Sequence, residues 1–134
     1  MAALMSIIAA DLTAALNMIE EYEKSHSGAL KNIAAYHLQQ AAEKLIKIQI
    51  LSADSGIDDH KLYTHNLDFL VRTAKACNIN LTIPEYVFQK RNLITSWESG
   101  SRYIPDFSVR IDTLKKACSV IYEWYNDLKS SGLR

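Results

Sequence analysis

Ala34-Ala35-Tyr36-His37-Leu38-Gln39-Gln40-Ala41-Ala42-Glu43-Lys44-Leu45-Ile46-Lys47-Ile48 carries the clearest helical periodicity in the chain. Ala34, Leu38, Ala41, Leu45 and Ile48 recur at steps of three and four, which places them on one stripe of a helix. Ala42 and Ile46 widen that stripe. His37, Gln40, Lys44 and Lys47 repeat at the same spacing on a different face, and a solvated surface accounts for them at this level. The pattern predicts a helix over 29–52, ended by Ala53-Asp54-Ser55-Gly56.

On the N-terminal side, Leu4, Ile8, Leu12, Ala15, Ile19 and Tyr22 form a second helical stripe over 3–24. Ser25-His26-Ser27-Gly28 breaks it with turn chemistry. On the C-terminal side, 53–63 reads as a polar loop. A shorter helix runs from Thr64 to about Cys77, with Leu67, Leu70, Val71 and Ala74 on its apolar side. Asn78-Ile79-Asn80 is a turn. Thr82-Ile83-Pro84-Glu85 then reads as a helix start, with Thr82 as the cap, Glu85 reaching back and Pro84 in the first turn. This fourth helix is expected to end near Trp97, and 98–106 to form a loop. In the last helix, to about Lys129, Phe107, Ile111, Leu114, Cys118, Ile121, Tyr125 and Leu128 alternate steps of four and three, the seam of a bundle.

The expected architecture is all-α: an antiparallel up-and-down helical bundle of about four long helices plus one short helix, in a single domain of residues 1–134. Four glycines and two prolines are too few for a turn-rich β-sandwich. With 49% hydrophobic residues the chain can build a core without a disulfide or metal. Trp97, Trp124 and the tyrosines read as core or interface packing. Cys77 and Cys118 lie far apart, lack zinc-type spacing and read as reduced, half-buried thiols of a cytoplasmic protein. The apolar N-terminus has no basic leader region and runs into Asp11 and Glu20, so it reads as the start of a helix. No apolar run approaches the ~18 residues needed to span a bilayer, and no membrane partner is expected.

Fifteen basic residues balance fifteen acidic ones, so bulk charge does not mark a nucleic-acid binder. Residues 1–66 carry five Lys/Arg against eight Asp/Glu, and residues 67–134 carry ten against seven. A modest positive patch in the second half is compatible with this, as are solvated helix faces. The features of an enzyme are missing. Glu20-Glu21 and Asp58-Asp59 have no partner motif, the four histidines are not at HExxH spacing, and there is no Gly-rich phosphate loop. No cofactor or metal is expected.

Three positions depart from a purely structural reading. Arg91 falls on an apolar seam between Val87 and Ile94, where it either snorkels to the edge or faces a cleft and holds an anion. Arg102-Tyr103 pairs a guanidinium with an aromatic ring, which suits a phosphate and a stacked base, or else bonds local carbonyls. His65 opens the short helix. The expected anion site gathers Arg91, Arg102 and Tyr103, with Lys44 as a neighbour and His65 as a further candidate.

Tyr36-His37-Leu38-Gln39-Gln40-Ala41-Ala42-Glu43-Lys44-Leu45 resembles the second-helix signature of HEPN domains. Thr64-His65-Asn66-Leu67 resembles that family's Thr-His-Asp-Leu segment. Arg102-Tyr103-Ile104-Pro105-Asp106 is similar to its Arg-Tyr-Pro-Asp loop, with Ile104 inserted. Asp11-Leu12-Thr13-Ala14-Ala15 fits its first helix. The resemblance implies an antiparallel helical bundle, usually a homodimer, often acting beside a small nucleotidyltransferase in toxin–antitoxin or defence operons. Some members are ribonucleases with an Arg followed four to six residues later by His; others are thought to bind nucleotides or RNA. Here the nearest match, Arg91-Asn92-Leu93-Ile94-Thr95-Ser96-Trp97-Glu98, lacks the histidine. Ser96 and Trp97 cannot relay a proton as imidazole does. The resemblance therefore implies a non-catalytic HEPN module that binds a nucleotide, RNA or a nucleotidyltransferase partner. The alternative is a ribonuclease toxin with a degenerate site, in which His65 takes the missing role.

Overall fold

The computed structural model describes residues 2–53, 56–104 and 106–132, and no strand occurs among them. The elements are α1 (Ala2–Ser25), α2 (Gly28–Ser52), a 3₁₀ turn (Asp59–Leu62), α3 (Leu67–Ala76), α4 (Glu85–Gln89), α5 (Arg91–Tyr103) and α6 (Ile111–Ser130). The all-helical class is as expected. Three helices, α1, α2 and α6, reach 20 residues. The C-terminal half of the expected loop after α2 forms the 3₁₀ turn, capped by Asp58, whose side chain accepts the His60 amide; Asp54 and Ser55 lie outside the described residues.

α1 and α2 form a helical hairpin joined by His26-Ser27. His26 adopts the left-handed conformation (φ 57°) as α1 ends, its amide donating to the Tyr22 carbonyl. The two predicted stripes meet here. Ile8, Leu12, Ala15 and Ile19 of α1 and Ala34, Leu38, Ala41, Leu45 and Ile48 of α2 are buried. Ala35, Ala42, Ile46 and Ile50 are buried as well, so α2 has apolar neighbours nearly all round. Its other neighbours are α3, α5 and α6. Leu114, Cys118, Ile121, Tyr125 and Leu128 bring the α6 seam into the same core, and Trp97 and Trp124 are both buried in it. Each large apolar side chain so placed contributes roughly 1.5–3 kcal/mol.

α1 has a window of mean hydropathy 1.4, long and apolar enough to cross a bilayer by length and composition. The expectation that no apolar run approaches that length is corrected: the window in Ala3–Ser25 averages high hydropathy although polar residues interrupt it. One such helix does not by itself establish a membrane span, and its buried stripe faces α2 and α6.

Three boundaries differ from the sequence reading. α3 begins at Leu67 instead of Thr64, because the Asn66 side chain caps it by accepting the Phe69 amide at 3.1 Å. Thr82 does not cap α4. Its backbone is clamped instead: Thr82 N donates to Gln49 Oε1 (2.7 Å), and Thr82 O accepts from Gln49 Nε2 (3.0 Å) and Trp124 Nε1 (2.8 Å). That clamp fixes the backbone just before α4, and α4 starts at Glu85 with Pro84 at its N-cap.

The third difference decides the site. The expected helix from Thr82 to Trp97 is broken at Lys90 and, after the break, runs on to Tyr103. At the break, Arg91 Nη1 donates to the Phe88 carbonyl at 2.7 Å, an acceptor that an unbroken helix would give to the Asn92 amide. Beyond Trp97, Gly100 does not end the helix. An added Cβ there would lie 2.4 Å from the ring of Phe107, so the glycine is required by close packing inside a helix. Arg102 and Tyr103 are therefore the last turn of α5 and not part of a loop. Pro105 lies outside the described residues.

Candidate functional site

A continuous polar network runs across one face of α2 and joins it to α1, to α5 and to the segment before α3. On α1, Asp11 Oδ1 lies 2.9 Å from His37 Nδ1, and Asp11 Oδ2 accepts from Lys44 Nζ at 3.0 Å. Lys44 also donates to Gln40 Oε1 (3.0 Å), Gln40 Nε2 to Gln39 Oε1 (2.8 Å), and Gln39 Nε2 to Glu43 Oε1 (3.1 Å) and the His65 carbonyl (3.0 Å). Lys47 Nζ donates to Glu43 Oε2 at 2.7 Å. His65 Nδ1 lies 2.8 Å from Glu43 Oε1, and its Nε2 lies 3.5 Å from Glu98 Oε1 on α5. Arg102 closes the chain by pairing with the same Glu98 oxygen.

Helix geometry explains why these groups meet. His37, Gln40, Lys44 and Lys47 repeat at steps of three and four and share a stripe beside the apolar seam. The stripe is half-buried, flanked by α1 on one side and by α3 and α5 on the other. Gln39 and Glu43 lie one turn apart and are buried. The reading of this stripe as a solvated face is therefore corrected: each of its polar groups has a protein partner.

Three carboxylates (Asp11, Glu43, Glu98) are matched by three cations (Lys44, Lys47, Arg102), with two imidazoles between them. Burial pushes Glu43 up, but hydrogen bonds from Lys47, His65 and Gln39 outweigh it and hold the carboxyl below its ordinary value. Asp11 behaves alike: burial raises it, and His37 and Lys44 pull it below the ordinary range. A carboxylate only accepts, so Nδ1 of His65 donates to Glu43. With Glu98 at Nε2, each ring nitrogen faces a carboxylate oxygen.

The network reaches solvent at the C-terminal end of α5. The Arg102 guanidinium lies 5.4 Å from the Tyr36 ring centroid and 4.9 Å from that of Tyr103. The Tyr103 residue is 70% exposed, and the side chains of Arg102 and His65 are 43% and 55% exposed. A guanidinium between two aromatic rings, held from below by Glu98, presents its remaining N–H groups and an open aromatic face to solvent.

The structure brings Arg102, Tyr103, His65 and Lys44 into one connected arrangement. Arg91 is not part of it. Arg91 and Arg102 fall on nearly the same side of α5 but eleven residues apart, about 16 Å along the axis at 1.5 Å per residue. Arg91 Nε donates instead to Asp68 Oδ1 on α3 at 2.8 Å, and its guanidinium stacks on Phe88 at 4.3 Å. Its charge is neither snorkelling free nor in want of a counter-ion. Sequence reasoning missed Glu43 and Glu98 as members of the site, and Asp68 and Arg72 as partners of Arg91. Glu43 belonged to a quoted motif. For Glu98 the available signal was its position seven residues beyond Arg91 and four before Arg102, which needs an unbroken α5 to be read.

Among the described residues no group of three or more His, Cys, Asp or Glu is arranged to hold a metal ion. Cys118 is buried, which pushes its thiol up, and Cys77 is exposed rather than half-buried. No protein-family model matches the chain, and neither curated proteins nor solved structures yield a match.

Proposed function

We propose that the chain is a HEPN-type module, built as an antiparallel up-and-down bundle, that binds RNA or a nucleotide without cleaving it. The observation that carries this reading is convergence. Four separate stretches resemble the family, and each places a side chain in the one polar network: Asp11, the 36–45 signature, His65 and Arg102. Segments that far apart in the chain have no local reason to share a network.

Arg102 and Tyr103 are the ligand-facing end. The guanidinium takes a phosphate oxygen and the exposed ring stacks a base, a contact worth about 1–3 kcal/mol per base in single-stranded nucleic-acid binding. Lys44 and His65 act from below, Lys44 through Gln40 and Gln39 and His65 through Glu98. Operation in the cytoplasm, as a homodimer and beside a nucleotidyltransferase partner in a toxin–antitoxin or defence system, belongs to this reading through the resemblance.

The ribonuclease alternative needs an imidazole free to take a proton from a ribose hydroxyl, near an arginine. His65 has a carboxylate at each nitrogen, and Arg91 is engaged by Asp68 and the Phe88 carbonyl. This favours binding over cleavage.

Calorimetric titration with a nucleotide panel and a short single-stranded RNA tests the reading. Arg102→Ala is expected to weaken binding by roughly 1.5–3 kcal/mol, the scale of a charged hydrogen bond, with the helical circular dichroism unchanged. Absence of binding by the unaltered chain, or RNA cleavage that disappears in His65→Ala, would overturn it.

A further inference from the structure

A groove of about 480 Å³ runs between α1 and α6, a volume typical of small-ligand sites. Leu16 and Ile19 of α1 and Cys118 and Tyr122 of α6 line it with apolar and aromatic surface. Ile19 and Cys118 are buried and Tyr122 is half-buried, whereas Leu16 is 39% exposed. An exposed leucine beside a buried floor is surface that a ligand could still remove from water.

The charged residues of the lining are Lys115 and Glu123, both on α6. They are not equivalent. Lys115 is neutralised across the groove by an ion pair with Glu23 of α1, and Asp112 lies one turn before it. Glu123 has no ion-pair partner among the described residues. On α1, Leu16, Glu20 and Glu23 follow one another at steps of four and three, so Glu20 shares the side that faces α6. Four carboxylates, Glu20, Glu23, Asp112 and Glu123, therefore surround one lysine.

The chain as a whole is neutral, so this acidic rim is a local feature. A cleft with low-dielectric walls and one sign of charge concentrates ions of the opposite sign. The floor selects an apolar body and the rim selects a positive head. An anionic head would meet Glu123 and would have to displace Glu23 from Lys115.

We propose that this groove is a binding site for a small amphiphilic amine, an ammonium group carried on an alkyl or aryl body. The body lies on Leu16, Ile19 and Tyr122 over the Cys118 thiol, and the ammonium pairs with Glu123. None of these residues belongs to the polar network of α2 or to the Arg102 end of α5. The proposal does not depend on the function assigned there.

The test uses the full chain and three probes that share one body and differ in head charge: octylamine, octanol and octanoate. Calorimetry should rank them in that order, octylamine tightest. Glu123→Gln changes an exposed side chain, so the fold survives; octylamine binding should weaken by about threefold, the scale of one exposed charge pair, with octanol unaffected. Leu16→Ala should weaken octylamine and octanol alike, by about tenfold, through lost apolar contact. A second readout locates the ligand. In a Cys77→Ser background, which leaves Cys118 as the single thiol, octylamine should slow alkylation of Cys118. Octanoate binding as tightly as octylamine would overturn the charge argument. No binding at millimolar octylamine, unchanged affinity in Leu16→Ala, or Cys118 alkylation indifferent to bound octylamine would overturn the site.

Discussion

Glu43 Oε1 stands 2.8 Å from Nδ1 of His65, a buried carboxylate locking an imidazole that is itself more than half exposed. The two residues are 22 positions apart, and the bond ties α2 to the segment that leads into α3. Because Glu43 is also held by Lys47 and Gln39, it is the junction of the whole network.

Stability should therefore fall in mild acid. Glu43 and Asp11 both have folded-state values below their ordinary ones. For a lowered carboxylate the stabilisation is complete above the ordinary value, about 4.5 for Glu43 and 3.8 for Asp11, and is lost as pH falls through the lower folded-state value. Urea denaturation from pH 7 down to pH 3 should show a decline beginning near pH 4.5. In Glu43→Gln, which keeps the shape but strands Lys47, stability at pH 7 should drop by about 1–3 kcal/mol. The acid decline should also be shallower in that variant. An unchanged pH profile would remove Glu43 from the junction role.

Gly100 and Phe107 make the next test. A methyl group at position 100 would overlap the phenyl ring, and overpacking of this kind costs about 1–3 kcal/mol. Gly100→Ala should lower the melting temperature even though alanine is the better helix former. Phe107→Leu in the same chain should recover part of the loss. If Gly100→Ala alone is stabilising, the close approach does not exist in solution.

α3 ends in a Schellman motif whose left-handed residue is Asn78 (φ 58°). The Ile79 amide donates to the Ala74 carbonyl (2.9 Å) and the Asn78 amide to the Lys75 carbonyl (3.1 Å). Asn78→Gly should raise stability by up to about 1 kcal/mol, and Asn78→Ala should lower it by roughly 1–2 kcal/mol. The two variants should move the urea midpoint in opposite directions; a shift of both in the same direction contradicts the motif.

Arg91→Leu distinguishes a working arginine from a snorkelling one. A surface arginine on an apolar seam would gain stability from leucine. Here the change removes a partner of Asp68 and the donor to the Phe88 carbonyl at the α4–α5 break, so the melting temperature should fall. A double-mutant cycle with Asp68→Asn should give a favourable coupling between the two positions. A rise in melting temperature with no coupling would return Arg91 to the snorkelling reading.

The sequence by itself determined the helical class and most of the core. Periodicity is a local property: a residue's place on a helix face follows from its spacing, and burial follows from that face being apolar. Leu38, Leu45, Ile48, Leu114 and Ile121 could be placed in this way without knowing any neighbour. The motif at 36–45 also marked the right polar stripe. What the stripe touches was not legible, because Glu98 and His65 reach Glu43 only when α5 and the segment before α3 pack against α2.

The ends of α5 were decided by tertiary structure alone. Local chemistry offers a continuous helix through Gln89-Lys90-Arg91 and a stop near Trp97, and the molecule does the reverse at both places. At the first, Asp68 and the Phe88 carbonyl draw the Arg91 guanidinium across the chain, and the helix breaks where that bond forms. At the second, the Phe107 ring fills the space a side chain would need, so glycine is kept inside the helix. The helix between those two ends puts Arg91 and Arg102 about 16 Å apart along its axis, so the residues of the one expected anion site fall into two separate clusters. Spacing along a chain fixes direction around a helix axis, but only the neighbouring elements fix where that helix begins, where it ends and which charges it meets.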